Sequence, residues 1–73
     1  MDDMEKIAIT SEFIKLDAFL KFAAVVGTGG EAKMVIADGL VGVNGETCLM
    51  RGKKLYPGDE VDFQGMHFEV VRA

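Results

Sequence analysis

The sequence predicts a small α+β domain in which two helices, adjacent in the chain, pack on a small and mainly antiparallel sheet. Three observations carry this reading. Apolar residues recur at helical spacing in two consecutive segments and then alternate at strand spacing, with the change of period at Gly39. The alternating segments are separated by turn signals at Asn44-Gly45, Pro57-Gly58 and Gln64-Gly65. A chain of 73 residues with one proline has material for one hydrophobic core, so residues 1–73 read as a single domain with its core in about 7–72.

Near the N-terminus, KIAIT reads as an additional edge strand. Leu16, Phe19, Leu20, Ala23 and Ala24 then fall at i, i+3, i+4, i+7 and i+8, one apolar face of a helix over 16–24. Asp17 lies in its first turn, where a carboxylate complements the exposed N–H groups. A second helix over 30–38 turns Ala32, Val35 and Ile36 inward, with Glu31 in its first turn and Gly39 placed for a left-handed C-cap. The connection, VVGTGGEAK over 25–33, raises the question of a nucleotide loop. That reading fails: Val25 and Val26 continue a helix pattern, no Gly-Lys-Ser or Gly-Lys-Thr follows, and the chain is too short for the surrounding fold. GTGG is therefore expected to be a turn between helices.

After Gly39, LVGVNGETCL predicts a hairpin about Asn44-Gly45, because both central residues of a type I′ turn need positive φ. MRGKKLYPGDEV reads as a loop with three basic residues, closed by a type II turn at Pro57-Gly58. VDFQGMHFEVV reads as a last hairpin with Val61, Phe63, Met66, Phe68 and Val70 inward. The expected order is β-α-α-β-β-β-β. Phe13, Phe19, Phe63 and Phe68 are assigned to the core. Phe22 lies off the main helical stripe and is expected to pack on the sheet, with base stacking as the other reading. Tyr56 beside the basic loop is a better stacking candidate, though stacking is not the favoured reading there either. His67 is expected to face solvent, and Cys48 to be a small buried apolar residue.

Composition narrows the function. No stretch approaches the ~20 apolar residues that span a bilayer. The start, MDDMEKIAIT, has no apolar region of the secretory type. A single cysteine and a single histidine offer neither an internal disulfide nor a metal cluster, so no metal or cofactor is expected and a cytoplasmic setting is the simplest. No nucleophile has a base near it in sequence, and the carboxylates fall at helix starts and turns, which argues against an enzyme. The net charge of −4 is unlike a generic nucleic-acid binder, yet the charge is polarised. Between Phe13 and Tyr56, six basic residues face four acidic ones, while the two ends hold two basic against eight acidic residues.

The sequence of pieces Leu16-Asp17-x-Phe19-Leu20-Lys21, Gly30-Glu31-Ala32-Lys33, Val35-Ile36, Gly39 and Val41-x-Val43-Asn44-Gly45 resembles the RNA-binding domain named after ribosomal small-subunit protein four, the alpha-L motif. The resemblance continues through Lys53-Lys54-Leu55-x-Pro57-Gly58-Asp59-Glu60-Val61, so it covers about residues 14–63, and the chain is most similar to the short stand-alone bacterial members. It implies the alpha-L fold and non-catalytic binding of structured RNA, typically ribosomal or transfer RNA, with ribosomal RNA or a ribosomal particle expected here. Carried over by position, the implied RNA-binding face uses Lys15, Lys21, Lys33, Asn44, Arg51, Lys53 and Lys54, with Asp17 organising the helix start. Thr28-Gly29-Gly30 stands where many members have Ser-Arg-Ser, and Met34 where a basic residue is common. Either this member binds RNA more weakly, or backbone amides at Gly29, Gly30 and Glu31 replace the lost side-chain contacts to phosphate. The alternative is a protein-interaction adaptor whose acidic ends bind a basic partner, with no affinity for RNA.

Overall fold

The sheet is built from strands that come from both ends of the chain. The computed structural model describes residues 4–73; Asp2 and Asp3 of the acidic N-terminal end lie outside that range. The elements are β1 (Glu5–Ile9), β2 (Ile14–Lys15), α1 (Leu16–Phe22), α2 (Gly29–Ala37), β3 (Val41–Val43), β4 (Glu46–Thr47), β5 (Lys54–Leu55), β6 (Glu60–Phe63) and β7 (Met66–Arg72). Five strands form one sheet in the order β1-β7-β6-β3-β4, with β1 parallel to β7 and the other pairs antiparallel. The expected edge strand at KIAIT and the two hairpins are therefore present. A separate antiparallel pair joins β2, just before the first helix, to β5, which lies within the segment that the sequence presents as a loop.

Strand alternation decides which face the helices cover. Val41 and Val43, Val61 and Phe63, and Phe68 and Val70 point to one side and are buried. Leu16, Phe19 and Leu20 of α1 and Ala32 and Ile36 of α2 pack on that side, and each of these five is 1% exposed or less. Phe19 meets Phe68 edge-on, with ring centroids 6.0 Å apart and planes at 79°, a geometry the ring quadrupoles favour. Each such side chain removed from water contributes ~1.5–3 kcal/mol, which is how a chain this short sustains a core. Residues of the opposite parity, Glu60 and Asp62 on β6 and Glu69 on β7, fall on the other side of the sheet.

The helix ends differ from the sequence expectation in an instructive way. α1 stops at Phe22, so Val25 and Val26 are not its last turn but part of the connection. Ala24 adopts φ 62°, its N–H bonds to the Lys21 carbonyl at 3.0 Å, and the Val25 N–H bonds to the Leu20 carbonyl at 3.1 Å. That is a Schellman end with alanine in the left-handed position, and Ala24 is exposed rather than inward. α2 ends in the same way at Gly39 (φ 74°), with bonds from Gly39 to Ile36 and from Leu40 to Val35, as the glycine predicts.

Three aromatic and apolar assignments are also corrected. Phe13 is half-buried at the surface and not in the core, Phe22 is 60% exposed rather than packed on the sheet, and Met66 is 41% exposed at the hairpin tip. Phe22 lies off the apolar stripe of α1, and Met66 stands next to the Gln64-Gly65 turn at the end of its strand. His67 is exposed, and Cys48 is half-buried against the core.

Candidate functional site

The N-terminus of α1 organises the basic residues. Its N-cap is Lys15, which provides no side-chain cap, so the first helical N–H groups need acceptors from elsewhere. They find them on the basic loop: Leu16 donates to the Lys53 carbonyl at 2.9 Å and Asp17 to the Arg51 carbonyl at 3.0 Å. The Asp17 carboxylate in turn accepts from the Ala18 N–H at 2.7 Å, which fits a local structural role. The same docking brings β2 against β5, with Ile14 opposite Leu55 and Lys15 opposite Lys54. Leu55 is fully buried, so the alternate residues Lys15 and Lys54 point outward together.

Two distant parts of the chain thus bring four basic residues to neighbouring backbone positions, with Lys15 directly opposite Lys54 and the Arg51 and Lys53 carbonyls bonded to the start of α1. Lys15, Arg51, Lys53 and Lys54 are all exposed. Like charges directly opposite on paired strands destabilise a sheet, and among the described residues no ion pair neutralises these four. Lys54 has a different neighbour: its Nζ lies 4.8 Å from the centre of the Phe13 ring, whose centroid is 5.9 Å from that of Tyr56. Phe13 holds an ammonium over its face, a role its position in the sequence did not disclose.

The other candidate residues are placed less closely. Lys21 is exposed in the last turn of α1, ~9 Å along the helix axis from Lys15 at 1.5 Å per residue. Lys33 is exposed on α2. Gly29 and Gly30 are the first two residues of α2, exposed, with room for a Cβ at both. Their amides have no acceptor inside the helix. The Glu31 amide is already engaged, donating to Thr28 Oγ1 at 3.1 Å, while Glu31 Oε1 accepts from the Gly27 N–H at 2.8 Å. This corrects the expectation that three amides are open to a phosphate. Thr28-x-x-Glu31 has the spacing of a capping box, a signal legible in the sequence.

Asn44 is exposed at the β3–β4 tip, but its side chain is committed within the fold. Nδ2 donates to Asp59 Oδ1 at 3.1 Å, and Oδ1 accepts from the Glu60 N–H at 2.9 Å. Asp59 Oδ2 accepts from the Tyr56 N–H, and the Asp59 N–H closes the Pro57-Gly58 turn on the Tyr56 carbonyl at 2.9 Å. The Asn44-Gly45 and Pro57-Gly58-Asp59 motifs are therefore two halves of one clasp. Beside it, a groove of about 290 Å³ opens between the β3–β4 hairpin and the loop running to Lys53.

Among the described residues no group of histidine, cysteine or carboxylate side chains could hold a metal ion, and no helix is long and apolar enough to cross a membrane. The family model of the S4 domain matches residues 7–71. A curated relative from Bacillus subtilis (strain 168), "Probable ribosome maturation protein RlbA", is 46% identical over 66 residues, which cover 89% of this chain and 93% of that protein.

Proposed function

The chain belongs to the S4 domain family, and on that premise we propose that it binds structured RNA, without catalysis, through the basic surface around Lys15 and Lys54. The observation that carries this reading is the direct opposition of these two lysines with Arg51 and Lys53 fixed beside them. A cluster of cations held together without internal neutralisation is relieved by an incoming polyanion. Lys21, Lys33 and the open amides of Gly29 and Gly30 extend the surface along the helices, and Asn44 supports it by holding the hairpin in place. The RNA is ribosomal RNA or a ribosomal particle in the cytoplasm, in keeping with the ribosome maturation in the relative's name.

The mechanism is docking on backbone shape with little base reading. A-form RNA presents phosphates and a wide, shallow minor groove, and its deep major groove admits no side chains. Affinity should fall with salt by ~0.7–0.9 log units per decade for each phosphate contact, by analogy with other nucleic acids. Filter binding of ribosomal RNA across a salt series tests this. The Lys53→Gln/Lys54→Gln variant should bind more weakly and with a slope lower by ~1.4–1.8. An unchanged slope in the folded variant would remove the proposed surface.

A second reading has one observation in its favour. The sheet face away from the helices carries Glu60, Asp62 and Glu69, with Glu60 directly opposite Glu69, and could dock a basic protein. Lys6 beside Glu69 offsets part of that charge. Absence of any RNA uptake at low salt would favour this adaptor role.

A further inference from the structure

Electrostatic docking leaves the apolar side chains of the β4–β5 loop without a role. Leu49 and Met50 are 64% and 66% exposed, immediately before Arg51, Lys53 and Lys54. They line the 290 Å³ groove together with Glu46, Thr47, Cys48 and Lys53. The main-chain bonds from α1 to Arg51 and Lys53 fix this wall of the groove beside Lys15 and Lys54. The groove and the cationic cluster therefore share Lys53 and form one continuous surface.

We propose that this groove receives one unpaired base, guanine in preference to uracil, from the RNA whose phosphates lie on the Lys15–Lys54 cluster; the proposal rests on the RNA-binding function above. The chemistry of the lining selects this occupant. A groove of this volume is just below the ~300–1,000 Å³ range of sites for whole small molecules, room for a base and not for a folded partner. A methionine thioether and a leucine provide a polarisable apolar wall for a flat aromatic ring. Lys53 faces the phosphates of the cluster from one side of the groove and Glu46 disfavours a second phosphate inside it, which leaves the apolar wall to an uncharged base. An ionised carboxylate only accepts hydrogen bonds, and guanine offers two adjacent donors on its Watson–Crick edge where uracil offers one between two carbonyls. That edge is hidden in a duplex and free in bulges and loops, where sequence-specific RNA recognition is concentrated.

The test compares three RNA hairpins of one stem sequence: fully paired, with one bulged guanosine, and with one bulged uridine. Fluorescence anisotropy is measured with the full chain and with a Leu49→Ser/Met50→Ser variant, both checked by thermal unfolding. The wild type should bind the guanosine bulge ~10-fold more tightly than the paired hairpin, a factor that one well-seated base readily supplies, and the uridine bulge less tightly than the guanosine bulge. The variant should bind all three equally, with the wild-type affinity and salt slope for the paired hairpin. Equal binding of the three RNAs by the wild type, or a preference that survives in the variant, overturns the proposal while leaving salt-dependent RNA binding intact. Equal affinity for the two bulges removes the role of Glu46. Failure of all three hairpins to bind, even at low salt, overturns the RNA-binding function and this proposal with it.

Discussion

Replacing Lys15 by glutamine should raise the stability of the domain and lower its affinity for RNA. Two costs of the native lysine are visible in the structure. It stands directly opposite Lys54 on paired strands, where like charges cost ~0.2–1 kcal/mol. It also occupies the N-cap of α1, where a cation opposes the positive end of the helix dipole at ~0.3–1 kcal/mol. Taken together, neutralisation should stabilise by about 1 kcal/mol, and in a domain of this size each kcal/mol moves the unfolding midpoint by ~4–8 °C. The gain should shrink as salt screens both terms. One lost phosphate contact should lower the salt slope of RNA binding by ~0.7–0.9, which is ~3-fold in affinity between 50 and 200 mM salt. Circular dichroism melts and fluorescence anisotropy at matched salt read the two effects. Lys6→Gln is the control: Lys6 pairs with Glu69 on the sheet, so its loss should not stabilise and should leave the RNA slope alone. A Lys15→Gln protein that melts lower than wild type, or binds RNA with the wild-type slope, refutes the reasoning.

Other substitutions probe single features. Ala24→Gly should stabilise by ~0.5 kcal/mol, because relief of ~1–2 kcal/mol of left-handed strain outweighs the entropy glycine adds to the unfolded chain, whereas Gly39→Ala should destabilise by ~1 kcal/mol; urea titrations that show the same sign for both would contradict the two Schellman ends. Asn44→Ala should cost ~2 kcal/mol by thermal melting, combining two lost side-chain hydrogen bonds with alanine at φ 52°, and Asn44→Gly should recover the conformational part. Gly30→Ala should stabilise α2 by ~0.5–1 kcal/mol, since the nearest atom to the added Cβ is Thr28 Oγ1 at 4.0 Å. Gly30→Val should fold equally well yet bind RNA more weakly; unchanged affinity in that folded variant would discard the open amides as phosphate ligands.

The elements that were legible in the sequence are those whose signal is local. The α2 pattern ending at Gly39, the type I′ turn at Asn44-Gly45 and the Pro57-Gly58 turn each need particular residues at fixed offsets, and all three stand where the residues place them. The misreadings are equally specific. Ala23 and Ala24 continue the apolar spacing of α1, but alanine carries too little apolar surface to hold a helix turn on the sheet, and the chain turns at Ala24 so that Val26 enters the core instead. β2 and β5 are two residues each, too short for any period to register. Phe13 reads as core because aromatics at regular spacing usually fill the interior, and the sequence does not show its contact with Lys54, which joins segments far apart in the chain.

For the candidate site, the sequence by itself determined which side chains are basic, that they gather in the middle of the chain, and the motif order that the S4 domain shares. It also contained the turn chemistry of Asn44 and Asp59, though not that the two turns clasp each other. Only the tertiary structure decided that Lys15 meets Lys54, that the loop holding Arg51 and Lys53 is pinned to α1, and that Leu49 and Met50 remain uncovered beside it. The physical reason is the accounting of backbone hydrogen bonds. At the start of α1, which has no side-chain cap, the N–H groups of Leu16 and Asp17 take their acceptors from the loop at Arg51 and Lys53, and that loop carries its side chains into place with it.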